Sequence, residues 1–384
     1  MIDSIEIRNY RNLKELKINS FARVNLITGK NNVGKSSLLE AIAIYVSKAD
    51  LSMLYELLNE RGEYYNQPDK SNNFLGTNEK TLSSIFSDRK TSYNKENGVI
   101  IRIKERGNSE TTNALHMHFV YYIEESNPQI ENGSKIFSTG HKIKIIDEGS
   151  YDDIVNYNLA DYHIGFVIEL VMGMGGRVFL SLESANPLLQ NYKIPVVNNI
   201  QFIRTRNIEK ENNGKLWDSV TLTPKEEYVI DALKIIEPNT ERIAFIDDSS
   251  VQRRPIIKLK NNNNLFPIKS MGDGINRIFT IILAMVNAEN GYLLIDEFEN
   301  GLHHTVQTKL WEIIFKLSER LNVQVFATTH SNDSIRSFEQ VLNSKDDKTL
   351  GKFIRLDYKK GQIRETELGA DDLEVVVDHN IEMR

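Results

Sequence analysis

The chain has no cysteine. Disulfides and thiolate-held metals are therefore excluded, and any metal chemistry must come from other side chains. Nor does positive charge predominate. The formal net charge is −6, which argues against a uniformly basic coat for nucleic acid but leaves room for a local basic patch. The first residues, Met1-Ile2-Asp3-Ser4-Ile5-Glu6, contain neither a basic nor an apolar leader segment, so no signal peptide is expected. Long uninterrupted apolar runs are missing too. The most apolar stretch, 164–182, carries Glu169, Arg177 and a glycine turn at 173–176, and reads as a β-hairpin rather than a membrane span. There is no internal repeat, and no heptad run long enough for a coiled coil. The expectation is a folded cytoplasmic protein with no membrane segment. Its 384 residues, 40% hydrophobic and 26% charged, suffice for one large domain or two lobes.

What is present is more specific. Gly29-Lys30-Asn31-Asn32-Val33-Gly34-Lys35-Ser36 fits G-x-x-x-x-G-K-[ST], the phosphate-binding P-loop. Glycines let backbone N–H groups turn inward around phosphate oxygens, and the helix that follows points its positive end at the same anion. Lys35 is expected to reach the β- and γ-phosphates, and the Ser36 hydroxyl to ligate Mg²⁺. The context agrees: Val24-Asn25-Leu26-Ile27 reads as a buried strand, and Leu38, Leu39, Ile42 and Val46 share one helical face.

Further along, residues 59–98 are polar with little periodicity and read as a surface insertion. The runs 99–103, 116–123 and 142–146 read as strands of an antiparallel subdomain. Residues 184–242, with Tyr228, Ile230, Leu233 and Ile236 at helical spacing, read as a helical lobe. Strands resume at Ile243, and 271–287 reads as an apolar helix. The runs 292–296 and 323–328, joined by a helix around Leu310, Ile313, Ile314 and Leu317, form a βαβ unit whose strands should be parallel.

Three more segments carry chemistry. Leu293-Leu294-Ile295-Asp296-Glu297 places an acid at the carboxyl end of a buried strand, where open α/β sheets bind ligands. Asp296 would hold Mg²⁺, and Glu297 would polarise an attacking water; the same pattern also closes ordinary surface turns. In Thr328-Thr329-His330-Ser331, a histidine just past the next strand is placed to donate to a γ-phosphate, or to be satisfied by backbone. Ser270-Met271-Gly272-Asp273-Gly274 opens the apolar helix and is either a second anion site or a plain helix cap.

The order P-loop, Ser/Gly helix start, acidic strand end, histidine resembles that of ABC-type ATPases. Residues 34–42 resemble the Walker A version of the RecF, SMC and OLD group, and Ile7-Arg8-Asn9-Tyr10-Arg11-Asn12 resembles its N-terminal strand and turn. Glu297-Phe298-Glu299-Asn300-Gly301-Leu302-His303 is similar to the E-x-E-x-x-L-H element of OLD-like ATPases of the AAA15/AAA21 type. The resemblance covers 1–47 and about 266–358. It implies an α/β fold: a P-loop NTPase head of ABC type with a mixed, largely parallel sheet, an antiparallel β subdomain and a helical insertion lobe. The chain would be a single split domain, with 1–47 and 243–384 as nucleotide-binding core and 48–242 as β-rich subdomain and helical insertion.

The resemblance also implies ATP and Mg²⁺ as cofactors, with Ser37 and Arg11 joining the P-loop in holding nucleotide. Ser270 and Gly272 would correspond to the signature that closes the site from a second copy, hence a homodimer or larger even oligomer. The segment reads Ser-Met-Gly-Asp-Gly rather than Leu-Ser-Gly-Gly-Gln, and Gln201 is the one candidate for a Q-loop glutamine. No Toprim nuclease domain is expected after the ATPase. Asp371, Asp372, Glu374 and Asp378 read as a solvated terminal helix. The expected role is a sensor ATPase in bacterial anti-phage defence, with a separately encoded effector nuclease as partner. The alternative is a RecF-like repair ATPase that binds DNA through Arg102, Lys104 and Arg106, or through Arg253, Arg254, Lys258 and Lys260.

Overall fold

Two sheets share one buried helix, and this arrangement sets the site. The structure, a computed structural model, describes residues 1–65, 67, 74–107, 113–126, 141–146, 162–171, 176–185, 187–189, 199–205, 212–248, 252–260 and 264–379. The first sheet is antiparallel. It contains β1 (Ile2–Tyr10), β2 (Leu13–Ile18), β4 (Val99–Glu105), β5 (Asn113–Ser126), β6 (His141–Ile146), β7 (His163–Val171) and β8 (Gly176–Ser181), in the order β2-β1-β4-β5-β7-β8 with β6 also on β5. The second contains β3 (Val24–Gly29), β9 (Ile200–Ile203), β13 (Tyr292–Ile295), β14 (Gln324–Thr328), β15 (Gly351–Lys359) and β16 (Gln362–Leu368), in the order β16-β15-β3-β14-β13-β9. All its neighbours pair parallel except β15 with β16. A small sheet joins β10 (Thr240–Asp248), β11 (Gln252–Leu259) and β12 (Leu265–Pro267).

The helices are α1 (Lys35–Val46), α2 (Leu51–Glu60), α3 (Leu75–Ser83), α4 (Asn212–Asp218), α5 (Pro224–Ile236), α6 (Asp273–Asn287), α7 (His304–Arg320), α8 (Asn332–Asn343) and α9 (Ala370–Asp378). Strands β3, β13 and β14 are buried at every position, as expected of parallel strands covered on both faces. Period-two alternation then divides their side chains between two cores. Ile27, Leu294, Phe326 and Ile354 face α1 and the antiparallel sheet. Leu26, Leu293, Ile295, Val325, Ala327 and Phe353 face α6, α7 and α8. With sheets on either side, α1 is buried around almost its whole circumference. Buried Gln324 ties the sheets together, accepting from Ile2 N–H at 2.7 Å and donating to Ile2 and Ala22 carbonyls at 2.8 and 2.9 Å.

The βαβ unit and the 99–103, 116–123 and 142–146 strands are where the sequence places them. Other expectations need correction. β1 and β2, assigned to the nucleotide core, pair into the same sheet as β4, β5, β7 and β8. Within the segment read as a helical lobe, Ile200–Ile203 is a strand beside β13, while 190–198 and 206–211 lie outside the described residues. The 59–98 stretch is not merely surface: Leu82, Ile85 and Phe86 are core, and Phe86 packs on Phe119 and Phe166. Three core residues in a polar stretch leave no periodicity to detect. Of the expected turn at 173–176, residues 173–175 lie outside the described residues, and Gly176 begins β8. The terminal helix does expose Asp371, Asp372, Glu374 and Asp378, but Leu373 anchors it in the core.

Candidate nucleotide site

The P-loop connects β3 to α1 and depends on two glycines. Gly29 has φ 141°, and a Cβ there would lie 2.2 Å from the Leu356 carbonyl oxygen of β15. Gly34 has φ 92°, begins α1, and would drive a Cβ to 2.5 Å from Leu13 Cδ2. Only glycine fits either place. Asn12, in the turn after β1, donates to the Asn32 carbonyl at 2.9 Å and accepts from Ser37 Oγ at 2.8 Å, fastening the loop to the helix start. Lys30, Asn31 and Asn32 face solvent, whereas Val33 is buried.

Lys35 is 5% exposed and donates to the Gly29 and Lys30 carbonyls at 2.7 and 3.0 Å. Its Nζ is also 3.3 Å from His330 Nδ1. Burial pulls the ammonium pKa down to about 8, against the opposing pull of Asp296, Glu299 and Glu297. Burial, and then the Lys35 charge, lower the pKa of His330 as well. A neutral imidazole accepting from the ammonium satisfies both shifts.

The carboxyl ends of β3, β14 and β13 converge here. Ser36 Oγ donates to the Asp296 carboxylate at 2.9 and 3.1 Å. Thr328 Oγ1 donates to Asp296 Oδ1 at 2.6 Å and accepts from Glu297 N–H at 2.9 Å. Glu297 has φ 51°, an uncommon conformation for a residue with a side chain. Its neighbour Phe298 is fully buried and stacks on Trp311 at 4.0 Å. Arg277 of α6 reaches the Asp296 and Glu297 carbonyls at 3.3 and 3.4 Å. A serine hydroxyl beside a carboxylate is an oxygen donor set suited to a hard cation such as Mg²⁺.

A cleft of about 820 Å³ spans these groups. One wall is Asn31, Asn32, Gly34, Lys35, Ser36, Ser37, Glu297 and His330; the other includes Arg11, Arg61, Glu63, Asp88 and Arg89. Arg11, an expected nucleotide contact, is on this second wall but already has carboxylate partners. It meets Glu40 and Glu63, each at 2.7 Å. Glu40 also holds Arg61 at 2.6 Å, and Glu63 holds Arg89 at 2.8 Å. Arg11 Nη2 is buried, with no hydrogen-bond partner among the described residues. Burial opposes the Arg11 charge, but Tyr10, Glu40 and Glu63 outweigh it and raise its pKa. The Tyr10 hydroxyl, donating to Glu40 at 3.0 Å, is pushed up by burial and then by that carboxylate.

Ser270 and Gly272 are exposed and do not line the cleft. Ser270 Oγ donates to the Pro267 carbonyl at 2.7 Å, and Gly272 caps α6. Gln201 sits within β9 opposite Leu293 and does not line the cleft. Asn12, Thr328, Glu299, Glu40 and Glu63 were not singled out from sequence as site residues. For all but Glu63 a signal existed: each lies inside a quoted motif, Glu40 within 34–42.

With this geometry in view, the sequence was compared with known proteins. The profile of the AAA ATPase domain family (AAA_15) matches residues 1–165 and 181–335. The chain belongs to this family. This AAA ATPase is an ATP-hydrolysing enzyme with a mixed α/β fold. It is 25% identical over 354 residues to a Helicobacter pylori protein named ATP/GTP phosphatase, covering 90% of each chain. It is 22% identical over 370 residues to the DNA replication and repair protein RecF of Rickettsia prowazekii, covering 88% of this chain and 96% of that one. Among solved structures, a Smc head domain with an extended coiled coil, bound to the C-terminal domain of ScpA derived from Pyrococcus furiosus, matches at TM-score 0.47 and 10% identity, covering 99% of each chain. No helix among the described residues is long and apolar enough to cross a membrane.

Proposed function

We propose that the chain is an ATP-driven switch in which two copies close around nucleotide. The P-loop N–H groups of residues 29–37 and Lys35 hold the triphosphate, with Arg11 at the cleft wall. Ser36 and Asp296 would hold Mg²⁺, which would supply charge neutralisation to the triphosphate. Glu297 orients and polarises the attacking water, and His330 donates to the γ-phosphate. Ser270 and Gly272 of the second copy bring the α6 N-terminus onto the same phosphate. Hydrolysis then releases the clamp.

The observation that carries this reading is the convergence of Lys35, Ser36, Glu297 and His330 from three strand ends onto one cleft, with Asp296 bonded to Ser36 beside it. Ser270 and Gly272 are exposed, as contact with another copy requires. Glu297→Gln keeps the shape but removes the base. It should lower kcat by about 10²–10³ and trap an ATP-bound dimer detectable by light scattering. A variant that binds ATP yet stays monomeric contradicts the reading.

The switch reports to a separately encoded effector, and the role is that of a sensor in bacterial anti-phage defence. Support comes from the OLD-like motifs, and the test is co-purification with the product of the neighbouring gene. Failure to associate, with ATP or without, counts against it. A second reading, direct DNA binding, is favoured by the likeness to RecF. The basic residues named for it are partly committed: Arg102 meets Glu6 at 2.9 Å, Lys258 meets Glu241 at 3.1 Å, Arg253 meets Asp218, and Arg106 donates to the Phe21 carbonyl. DNA-stimulated hydrolysis that weakens with salt would favour this second reading.

A further inference from the structure

Glu299 lies two residues beyond Glu297 in the turn after β13, and both of its carboxylate oxygens go to another strand's end. Oε2 accepts from Thr329 Oγ1 at 2.7 Å, and Oε1 accepts from the backbone N–H of His330 at 2.7 Å. Thr329 is fully buried, and its hydroxyl also accepts from Ser331 N–H at 3.0 Å. The residues on both sides of His330 are therefore tied to the same hydroxyl–carboxylate unit. The turn that carries Glu299 is itself held. Phe298 is buried against Trp311, and its N–H donates to the Thr328 carbonyl at 2.8 Å.

We propose that Glu299 is a positioning residue that fixes the His330 backbone so that its imidazole faces Lys35 and the γ-phosphate position. The inference rests on the role given to His330 above. Hydrogen bonds to an ionised acceptor are stronger than neutral ones, so this fastening is stiff. It also couples two catalytic elements. The turn that presents Glu297 and the loop that presents His330 move as one body, because one side chain bridges them. The Glu299 charge favours the protonated forms of both Lys35 and His330, against the effect of burial.

The test compares Glu299→Ala, Glu299→Gln, His330→Ala and the Glu299→Ala/His330→Ala double variant, each assayed for kcat and for the Kd of a fluorescent ATP analogue. His330→Ala should lower kcat about 100-fold, the usual size for loss of one transition-state donor. Glu299→Ala should fall within about threefold of that value with Kd nearly unchanged, and the double variant should be no slower than His330→Ala, because the two residues act as one unit. Glu299→Gln should retain kcat within about fivefold. Its amide oxygen still accepts from His330 N–H, and its NH₂ donates to the Thr329 hydroxyl. Because Glu299→Gln preserves the shape, it keeps the test decisive if Glu299→Ala does not fold. A multiplicative loss in the double variant, a normal kcat in Glu299→Ala, or a Glu299→Gln variant as slow as His330→Ala would overturn the proposal. A normal kcat in His330→Ala would instead sink the phosphate-donor reading itself, and this inference with it.

Discussion

The two walls of the cleft hold their cations in opposite ways. Lys35 is surrounded by neutral acceptors, two carbonyls and an imidazole, and burial lowers its pKa to about 8. Arg11, across the cleft, is clamped between Glu40 and Glu63, and its pKa is raised. Among the described residues no carboxylate is in contact with Lys35, so in the proposed reading an arriving phosphate would supply its counter-charge. Arg11 already has its counter-charges, so a phosphate must compete with Glu63 for it. In the proposed reading one cation awaits ligand, while the other holds the fold together, joining the turn after β1 to α1 and the chain after α2.

This contrast can be broken by substitution. Lys35→Ala should weaken ATP binding by about 100-fold or more, since truncating a desolvated charge partner costs 2–5 kcal/mol; isothermal titration calorimetry measures this. Arg11→Ala should act mainly on stability, with a loss of about 2–3 kcal/mol in denaturant unfolding. That is somewhat below the usual cost of breaking a buried pair, because Arg61 and Arg89 still serve the orphaned carboxylates. Its effect on ATP affinity should be smaller than that of Lys35→Ala. If Arg11→Ala destroys binding and leaves stability intact, the contrast is wrong.

The smallest effect is in pH. A lysine whose folded pKa is about 8, against 10.5 for the ordinary side chain, is deprotonated in the folded protein between those values but protonated in the unfolded chain. Its contribution to stability therefore rises with pH across that window, as the cost of the buried charge disappears. Binding runs the other way. Phosphate needs the ammonium, so ATP affinity should be flat below about pH 8 and fall by up to about tenfold per unit above it, with proton uptake on binding. Titrations in buffers of different ionisation enthalpy would detect that uptake. An affinity level through pH 9.5 would mean that Lys35 is not the group that titrates.

The same two walls mark what could be read from sequence. Gly29, Lys35, Ser36, Asp296, Glu297 and His330 lie in short contiguous motifs, each placed directly after a strand, and local pattern was enough to find them. The opposite wall draws Arg11, Arg61, Glu63, Asp88 and Arg89 from three separate parts of the chain, with Glu40 of α1 behind Arg11 and Arg61, and these charges share no spacing. Pairings such as Arg11–Glu63, 52 residues apart, arise only from the tertiary fold. Strand β9 escaped notice because Ile200–Ile203 is four residues long and flanked by polar chain. Its place beside β13 is fixed by the sheet, not by its own propensity. The burial of Phe86 was hidden similarly, because it fills a gap against Phe119 and Phe166 that no local pattern announces.

The central claim, that each active site is completed by a second copy, is tested most directly by mixing two inactive variants. Lys35→Ala cannot hold the triphosphate, and Gly272→Asp places a carboxylate at the start of α6, where the γ-phosphate of the other copy would lie. Each alone should be inactive. Mixed in equal amounts and allowed to exchange, half of the dimers pair one of each and contain one site with both an intact P-loop and an intact signature. Activity should therefore return to about a quarter of the wild-type value. A mixture as inactive as its components would contradict the account, and full activity of Gly272→Asp alone would do so even more simply.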